Sequence, residues 1–346
     1  MTRAYLVADG GIEQRLGAAF AKLIERSMEA RKATLLVFVE AQTAGAGGTL
    51  HLRRATSMCE QLLAKSFADA PDASALPAPI VRGITGGLQG VIAARLGPTP
   101  SVRDEGLADA LLGWTLLFQT PAAEGLAERM TGRLTRRMRE ISLASAHHRA
   151  PAATQTGGDE RARLLDNALR LAALHDYREL TAPQIADEAR VPIDSFLELF
   201  ADKDNCFLAG LDMIGEEMAA IAGGHRTAGE DWPSTVRASV CDLMSYLAER
   251  PLYARTIAQE AFFAGTDAID RNLEISRRVA ELLSAGAPAP AASEVALEAI
   301  AGAFLHVVRC QVAAGRVQLL GALSDYFSYI VLAPFIGADA AVAALS

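Results

Sequence analysis

The feature that most restricts what this chain can fold into is that its two ends resemble each other. With an offset of 220 residues, EAQTAG (40–45) lies on EAFFAG (260–265), Leu62 and Leu63 lie on Leu282 and Leu283, Leu23 on Leu243, and Glu29 on Glu249. A single four-residue gap changes the offset to 216. GITGGLQGVI (83–92) then lies on AIAGAFLHVV (299–308), pairing Ile84 with Ile300, Gly86 with Gly302 and Val91 with Val307. Further on, Leu107 and Asp109 fall on Leu323 and Asp325. Two unrelated Ala/Leu-rich stretches are not expected to stay in register over such a length with one gap. Residues 12–120 and 232–336 therefore read as two copies of one unit, with a unique segment between them.

Each copy is patterned for helices. RLGAAFAKLIERSMEA places Leu16, Phe20, Leu23, Ile24 and Ser27 on one face, and TVRASVCDLMSYLAERP does the same with Val236, Val240, Leu243, Met244 and Leu247 before Pro251 stops it. Alternating β-branched runs and Asn-Gly hairpin turns are nearly absent, so the expected fold class is all-α. The 346 residues, 51% hydrophobic and 21% charged, suffice for two or three folded domains. Cys59, Cys206, Cys241 and Cys310 are scattered, with no Cys-x-x-Cys and no His at ligand spacing. That argues against a disulfide framework or a metal site and for a reducing, cytoplasmic setting. The opening MTRAYLVADGGIEQRL has Asp9 where an export signal would need an apolar run. The most apolar stretch, YIVLAPFIGA, is interrupted by Pro334 and Asp339 and falls short of the roughly 20 residues a membrane span requires, so no membrane role is expected.

The unique segment is preceded by AERMTGRLTRRMREI, which carries five Arg between 129 and 139 and sets Leu126, Met130, Leu134, Met138 and Ile141 at helical spacing. It reads either as an amphipathic helix with a solvated basic face or as an arm for an acidic partner. A Ser/Ala/Gly/Pro/Thr-rich linker follows. From 161 the pattern is a helix burying Leu164, Leu165, Ala168, Leu169 and Leu171. Next come a Thr-x-x-Gln capping box at Thr181 and Gln184 with Pro183 in the first turn, and a second helix with Ile185, Ala186 and Ala189 inward. The chain turns at Arg190 and Val191, and Pro192 starts a third helix burying Phe196 and Phe200. This is the helix-turn-helix order, in which the last helix enters the major groove.

Here the chain resembles the tetracycline-repressor (TetR) family of bacterial transcription regulators. The resemblance rests on LLDNALRLAALHDYRELTAPQIADEARV, then Phe196, Phe200 and DKDNCFLAGLD opening a long fourth helix. It implies that each repeat is one ligand-binding and dimerisation domain of that family, with VEAQTAG and QEAFFAG in a central helix. The late helices of the copies (78–96, 104–119, 294–314, 320–333) would then form the four-helix dimer interface. The expected organisation is a first core at 1–141, a linker at 142–159, a three-helix DNA-binding head at 160–206 and a second core at 207–346. The resemblance also implies DNA-contacting roles at Thr181, Arg190, Ser195, Leu197 and Lys203. The family usually has Gly where Arg190 stands, and Ser with a basic residue where Pro192 and Ile193 stand. Where it has Tyr, a basic residue and His against the phosphates, this chain has Leu197, Glu198 and Leu199.

Charge points the same way. Residues 1–150 hold 18 Lys+Arg against 14 Asp+Glu, whereas the rest hold 15 against 27; between 159 and 206 there are six basic and eleven acidic residues. Phosphate neutralisation supplies most non-specific affinity, so a head carrying Asp194 and Glu198 on one helix face is expected to bind DNA weakly.

No nucleophile elbow, His-Glu-x-x-His or paired-carboxylate motif appears, so no enzymatic activity and no cofactor are expected. GITGGLQG lacks the Lys-Ser/Thr of a phosphate loop and reads instead as a surface for close helix approach. Candidate pocket residues are Phe38, Glu40, Glu260, Phe262, Phe263 and His306. The aromatic residues suit an apolar cavity or plain core, and Glu260 suits a ligand cation or a neighbouring Arg. The leading expectation is a regulator responding to a small apolar or amphipathic effector; the alternative is a sensor or partner-binding protein that keeps the fold without binding DNA. The cores are expected to pair within one chain or between two chains. Because MTRAYLVADGG reads as the end of a connecting helix, a first head is expected upstream of this sequence.

Overall fold

In a computed structural model, residues 1–30, 45–70, 75–96, 106–120, 128, 130–132, 134–136, 159–175, 177–225, 231–288 and 293–345 are described. Every regular element among them is helical. The first half contributes α1 (Thr2–Val7), α2 (Ile12–Glu29), α3 (Gly45–Ala68), α4 (Ala78–Leu96) and α5 (Leu107–Leu116). The middle contributes α6 (Glu160–Leu174), α7 (Ala182–Ala189), α8 (Ile193–Leu199) and the long α9 (Lys203–Gly224). In the second half α10 (Trp232–Glu249) precedes α11 (Pro251–Arg255), which runs through a π-helical turn, Thr256–Glu260, into α12 (Ala261–Phe263). Then follow α13 (Thr266–Ser284), α14 (Glu294–Ala313), a 3-10 stretch (Val317–Leu323), α15 (Ser324–Ile336) and α16 (Ala338–Ala344).

The most extensive packing between helices is that of α4 on α14, with α15 also against α4 and α5 against α14. The cause lies in the spacing of glycines on α4. Gly83, Gly86, Gly87 and Gly90 form one stripe, and Ile80, Ile84, Leu88 and Val91 are buried alongside. A Cβ added at Gly86 would sit 2.3 Å from His306 Cβ and 3.0 Å from the Gly302 carbonyl oxygen. One at Gly90 would sit 2.5 Å from Gly302 Cα, and one at Gly302 would sit 2.6 Å from the Gly86 oxygen. The two helices thus touch backbone to backbone.

The contacts are also reciprocal. Gly86 and Gly302, which the sequence offset pairs, face each other, and the Gly86–His306 contact has its counterpart in Gly90–Gly302. Around this seam, Arg95 reaches Glu298 at 3.0 Å and Glu294 at 3.1 Å. The Tyr329 hydroxyl donates to the Phe118 carbonyl at 3.0 Å, and Thr120 donates to Asp339.

Two helical runs, Glu294–Ala313 and Val317–Ile336, are long and apolar enough to cross a membrane. This corrects the short-stretch reading of YIVLAPFIGA: the 3-10 stretch leads straight into α15 and lengthens the run. Both runs are mostly buried inside the chain, as core helices are. The Arg-rich segment lays Met130 and half-buried Leu134 against the core and leaves Thr135 and Arg136 exposed, which favours the amphipathic-helix reading. Leu126, Met138 and Ile141 lie outside the described residues.

Candidate nucleic-acid interface and ligand cleft

The middle helices fold as their sequence dictates. Helix α6 buries Leu164, Leu165, Ala168, Leu169 and Leu171. The Thr181 N–H donates to Gln184 Oε1 at 2.8 Å and the Gln184 N–H to Thr181 Oγ1 at 3.4 Å, so the capping box closes both ways. Helix α7 ends where Arg190 takes left-handed backbone angles, φ 54° and ψ 46°, and the Val191 N–H returns to the Ala186 carbonyl at 2.9 Å. Arg190 is the one non-glycine residue at positive φ among those described. An L-residue pays about 1–2 kcal/mol for that conformation, partly offset by glycine's greater unfolded-state freedom. Arg190→Gly is therefore expected to stabilise the protein by about 0.5–1 kcal/mol, read as a higher urea midpoint.

Helix α8 is anchored by Val191, Phe196 and Phe200, all buried, with the two Phe rings 5.7 Å apart. Its outer surface is apolar and acidic: Leu197 is 54% and Ile193 38% exposed, and Asp194 and Glu198 are exposed beside them. Ser195 is half-buried. Lys203 turns back into the protein, donating to the Tyr177 carbonyl at 2.9 Å with its ammonium 4.6 Å from the Tyr177 ring centre. Tyr177 in turn donates to Asp204 at 2.5 Å. Burial, with that hydrogen bond, holds the Tyr177 phenol well above its ordinary range, so it stays protonated. Of the five expected DNA contacts, Ser195 and Leu197 lie on α8 and Arg190 on the turn before it. Thr181 and Lys203 have their polar atoms engaged in holding the helix ends. The Lys203–Tyr177–Asp204 network was not read from the sequence; the signal was a Tyr at the end of α6 and a Lys-Asp pair opening α9.

A second feature lies at the seam. A cleft of about 260 Å³ is walled on one side by Gly86, Gln89, Gly90, Ala93 and Ala94 of α4. The other side is formed by α14, with α13 and Phe262 closing it. Two of the expected pocket residues, Phe262 and His306, line it. Glu260 is buried and turned to Arg255 at 2.8 Å, the ion-pair alternative for this carboxylate. Phe263 is half-buried under the guanidinium of Arg178. Phe38 and Glu40 lie outside the described residues. Arg309, on the same helix face as His306, also lines the cleft, and its spacing of three from His306 was the sequence signal for it.

His306 Nε2 lies 3.4 Å from Cys310 Sγ and 3.7 Å from Glu60. Burial disfavours its charged form, yet hydrogen bonding to Cys310 and Glu60 outweighs this and holds its pKa above the ordinary value. The same contact lowers the Cys310 thiol against its own burial. Arg309 stacks over Phe262 at 4.8 Å and donates through Nε to the Ala258 carbonyl at 3.4 Å; burial brings its pKa down to about 10. Among the described residues no group of His, Cys, Asp and Glu is arranged to hold a metal ion.

Comparison with known proteins places the head. The sequence model for "Bacterial regulatory proteins, tetR family" matches residues 164–209. No curated protein matches the chain. Among solved structures, it is similar to the fatty acid degradation regulator FadR from Bacillus halodurans, at 18% identity and a TM-score of 0.46, over 53% of this chain and 100% of that one. It is also similar to a TetR-like transcriptional regulator from Rhodococcus sp. RHA1, at 18% identity and a TM-score of 0.35, over 53% and 96%. Residues 164–209, the helix-turn-helix segment from α6 into α9, are thus the part of the chain that is similar to the tetR-type bacterial regulatory proteins.

Proposed function

We propose that the chain is an effector-responsive regulator whose two cores pair with each other inside one polypeptide and whose head at 160–206 holds DNA weakly. The observation that carries the reading is the outer surface of α8: Ile193, Asp194, Leu197 and Glu198 are exposed there, while the nearby cation Lys203 is spent on the Tyr177 carbonyl. Phosphate contacts set both affinity and docking register, and two carboxylates four residues apart oppose them.

The reciprocal packing of Gly86, Gly90, Gly302 and His306 supports pairing within the chain, since a twofold interface brings the same surface of each partner together. The π-helical turn Thr256–Glu260 supports effector coupling. It packs against α6 of the head and against α14 of the cleft, so a ligand that shifts α14 presses on the element under the head. No enzymatic step is assigned to any residue.

A second reading, a fold-retaining protein that binds a partner and not DNA, is favoured by the exposed apolar pair Ile193 and Leu197 on α8. Fluorescence anisotropy with a labelled duplex from the region upstream of the coding sequence separates the two. Weak, saturable binding at about 50 mM salt, lost by about 200 mM, is expected of the regulator. Absence of saturable binding at the lower salt would leave the partner-binding reading standing.

A further inference from the structure

The seam cleft joins three features that ordinary packing does not require. First, Arg309 places a guanidinium in the cleft wall with Phe262 and a backbone carbonyl as its described partners; no ion pair to a carboxylate is among them. A partly desolvated cation without a counter-charge is unfavourable unless something supplies one. Second, His306 is buried, and its Nε2 is engaged by Cys310 and Glu60 while its Nδ1 has no hydrogen-bond partner. Third, most of the remaining lining is small or apolar: Gly90, Ala93, Ala301, Leu305 and Leu273 among them.

The repeat explains why such a cleft arises on one side of the seam. At the offset of 216, His306, Arg309 and Cys310 stand where the first copy has Gly90, Ala93 and Ala94. Those small residues form the wall opposite. One copy supplies the polar groups and the other supplies the space, so the two halves of the seam are chemically unequal although their backbones are paired.

We infer that this cleft binds a small amphipathic anion, its carboxylate or phosphate on Arg309 and the free Nδ1–H of His306 and its apolar part along α4, at one molecule per chain. The inference rests on the reading of the chain as effector-responsive and names the class of effector. Glu298 also faces the cleft but is held by Arg95 at 3.0 Å, and on α13 Glu274 is paired with Arg271 at 3.4 Å and Arg277 with Glu281 at 3.2 Å. The volume is slightly below that of pockets for drug-sized ligands, which suits a short chain or a single ring.

Calorimetric titration of the whole chain, without DNA, tests this with octanoate, octyl phosphate and octanol as probes. At least one anionic probe is expected to bind at one molecule per chain and more tightly than octanol, the better of octanoate and octyl phosphate identifying the head group. Arg309→Gln is expected to weaken the anions about tenfold or more while leaving octanol unchanged, because a hydrogen bond to a charged group is lost. Ala93→Trp, which fills the cleft from the opposite wall, is expected to abolish binding of all three and serves if the first variant fails to fold. Failure of both anions to bind, binding at two per chain, or equal affinity in Arg309→Gln would overturn the assignment. None of these outcomes depends on whether α8 holds DNA, so the head and the cleft are tested separately.

Discussion

Replacing Gly302 with valine is expected to lower the melting temperature by roughly 4 °C, the shift that about 3 kcal/mol produces in a chain of 346 residues. The reason is local and geometric. Even a bare Cβ at this position would sit 2.6 Å from both the Gly86 carbonyl oxygen and Gly90 Cα. Both are backbone atoms, so no side chain can rotate out of the way, and α4 and α14 must separate. Separation would expose the apolar faces that carry Ile84, Leu88 and Ile300. Gly113, on α5 of the same four helices, is the control, because a Cβ there meets nothing within 4 Å. Gly113→Ala is expected to stabilise by about 0.5–1 kcal/mol, as in any exposed helix interior. Calorimetric scans of the two variants check the pair, and a Gly302→Val melting temperature equal to the parent's would mean that the seam is not closed in solution.

The second large effect is expected on α8. Leu197→Tyr with Glu198→Arg restores a phosphate-directed hydroxyl and exchanges an acidic for a basic side chain on a face that is already exposed. Both positions point outward, so the anchors Phe196 and Phe200 are undisturbed. Affinity for the upstream duplex is expected to rise at least about tenfold at low salt, with a log–log salt slope steeper by about one for the added phosphate contact. Unchanged affinity would mean that the head's placement, and not its surface chemistry, limits binding.

Much of this was legible in the sequence because the fold is set by periodic apolar residues and by local capping. Thr181, Gln184 and Pro183 fix the start of α7 through contacts three residues apart, and such contacts are readable without knowing the rest of the structure. The glycine stripe on α4 announced a close helix approach for the same reason. What was not legible depends on partners far apart in the chain. Lys203 looks like a free cation in the sequence, yet its ammonium is taken by Tyr177, 26 residues away. Glu260 is the local counter-case: it reads as a ligand group or as the partner of a neighbouring Arg, and it is turned to Arg255, five residues away. The cleft itself requires α4 and α14 to meet, and the separation of Gly90 from Gly302 hides that meeting from any local pattern. The apolar run Val317–Ile336 was read short because Pro334 sits within α15 without ending it.

If, as proposed, the two cores satisfy each other within one chain, α4 and α14 are already paired and do not join a second copy. Multi-angle light scattering after size exclusion tests this pairing directly. A self-paired chain is expected to elute with the mass of one polypeptide, 36.6 kDa, and to keep that mass as concentration rises. A particle of twice that mass, dissociating on dilution, would contradict the account, because the α4–α14 seam would then join two chains and each particle would present two heads.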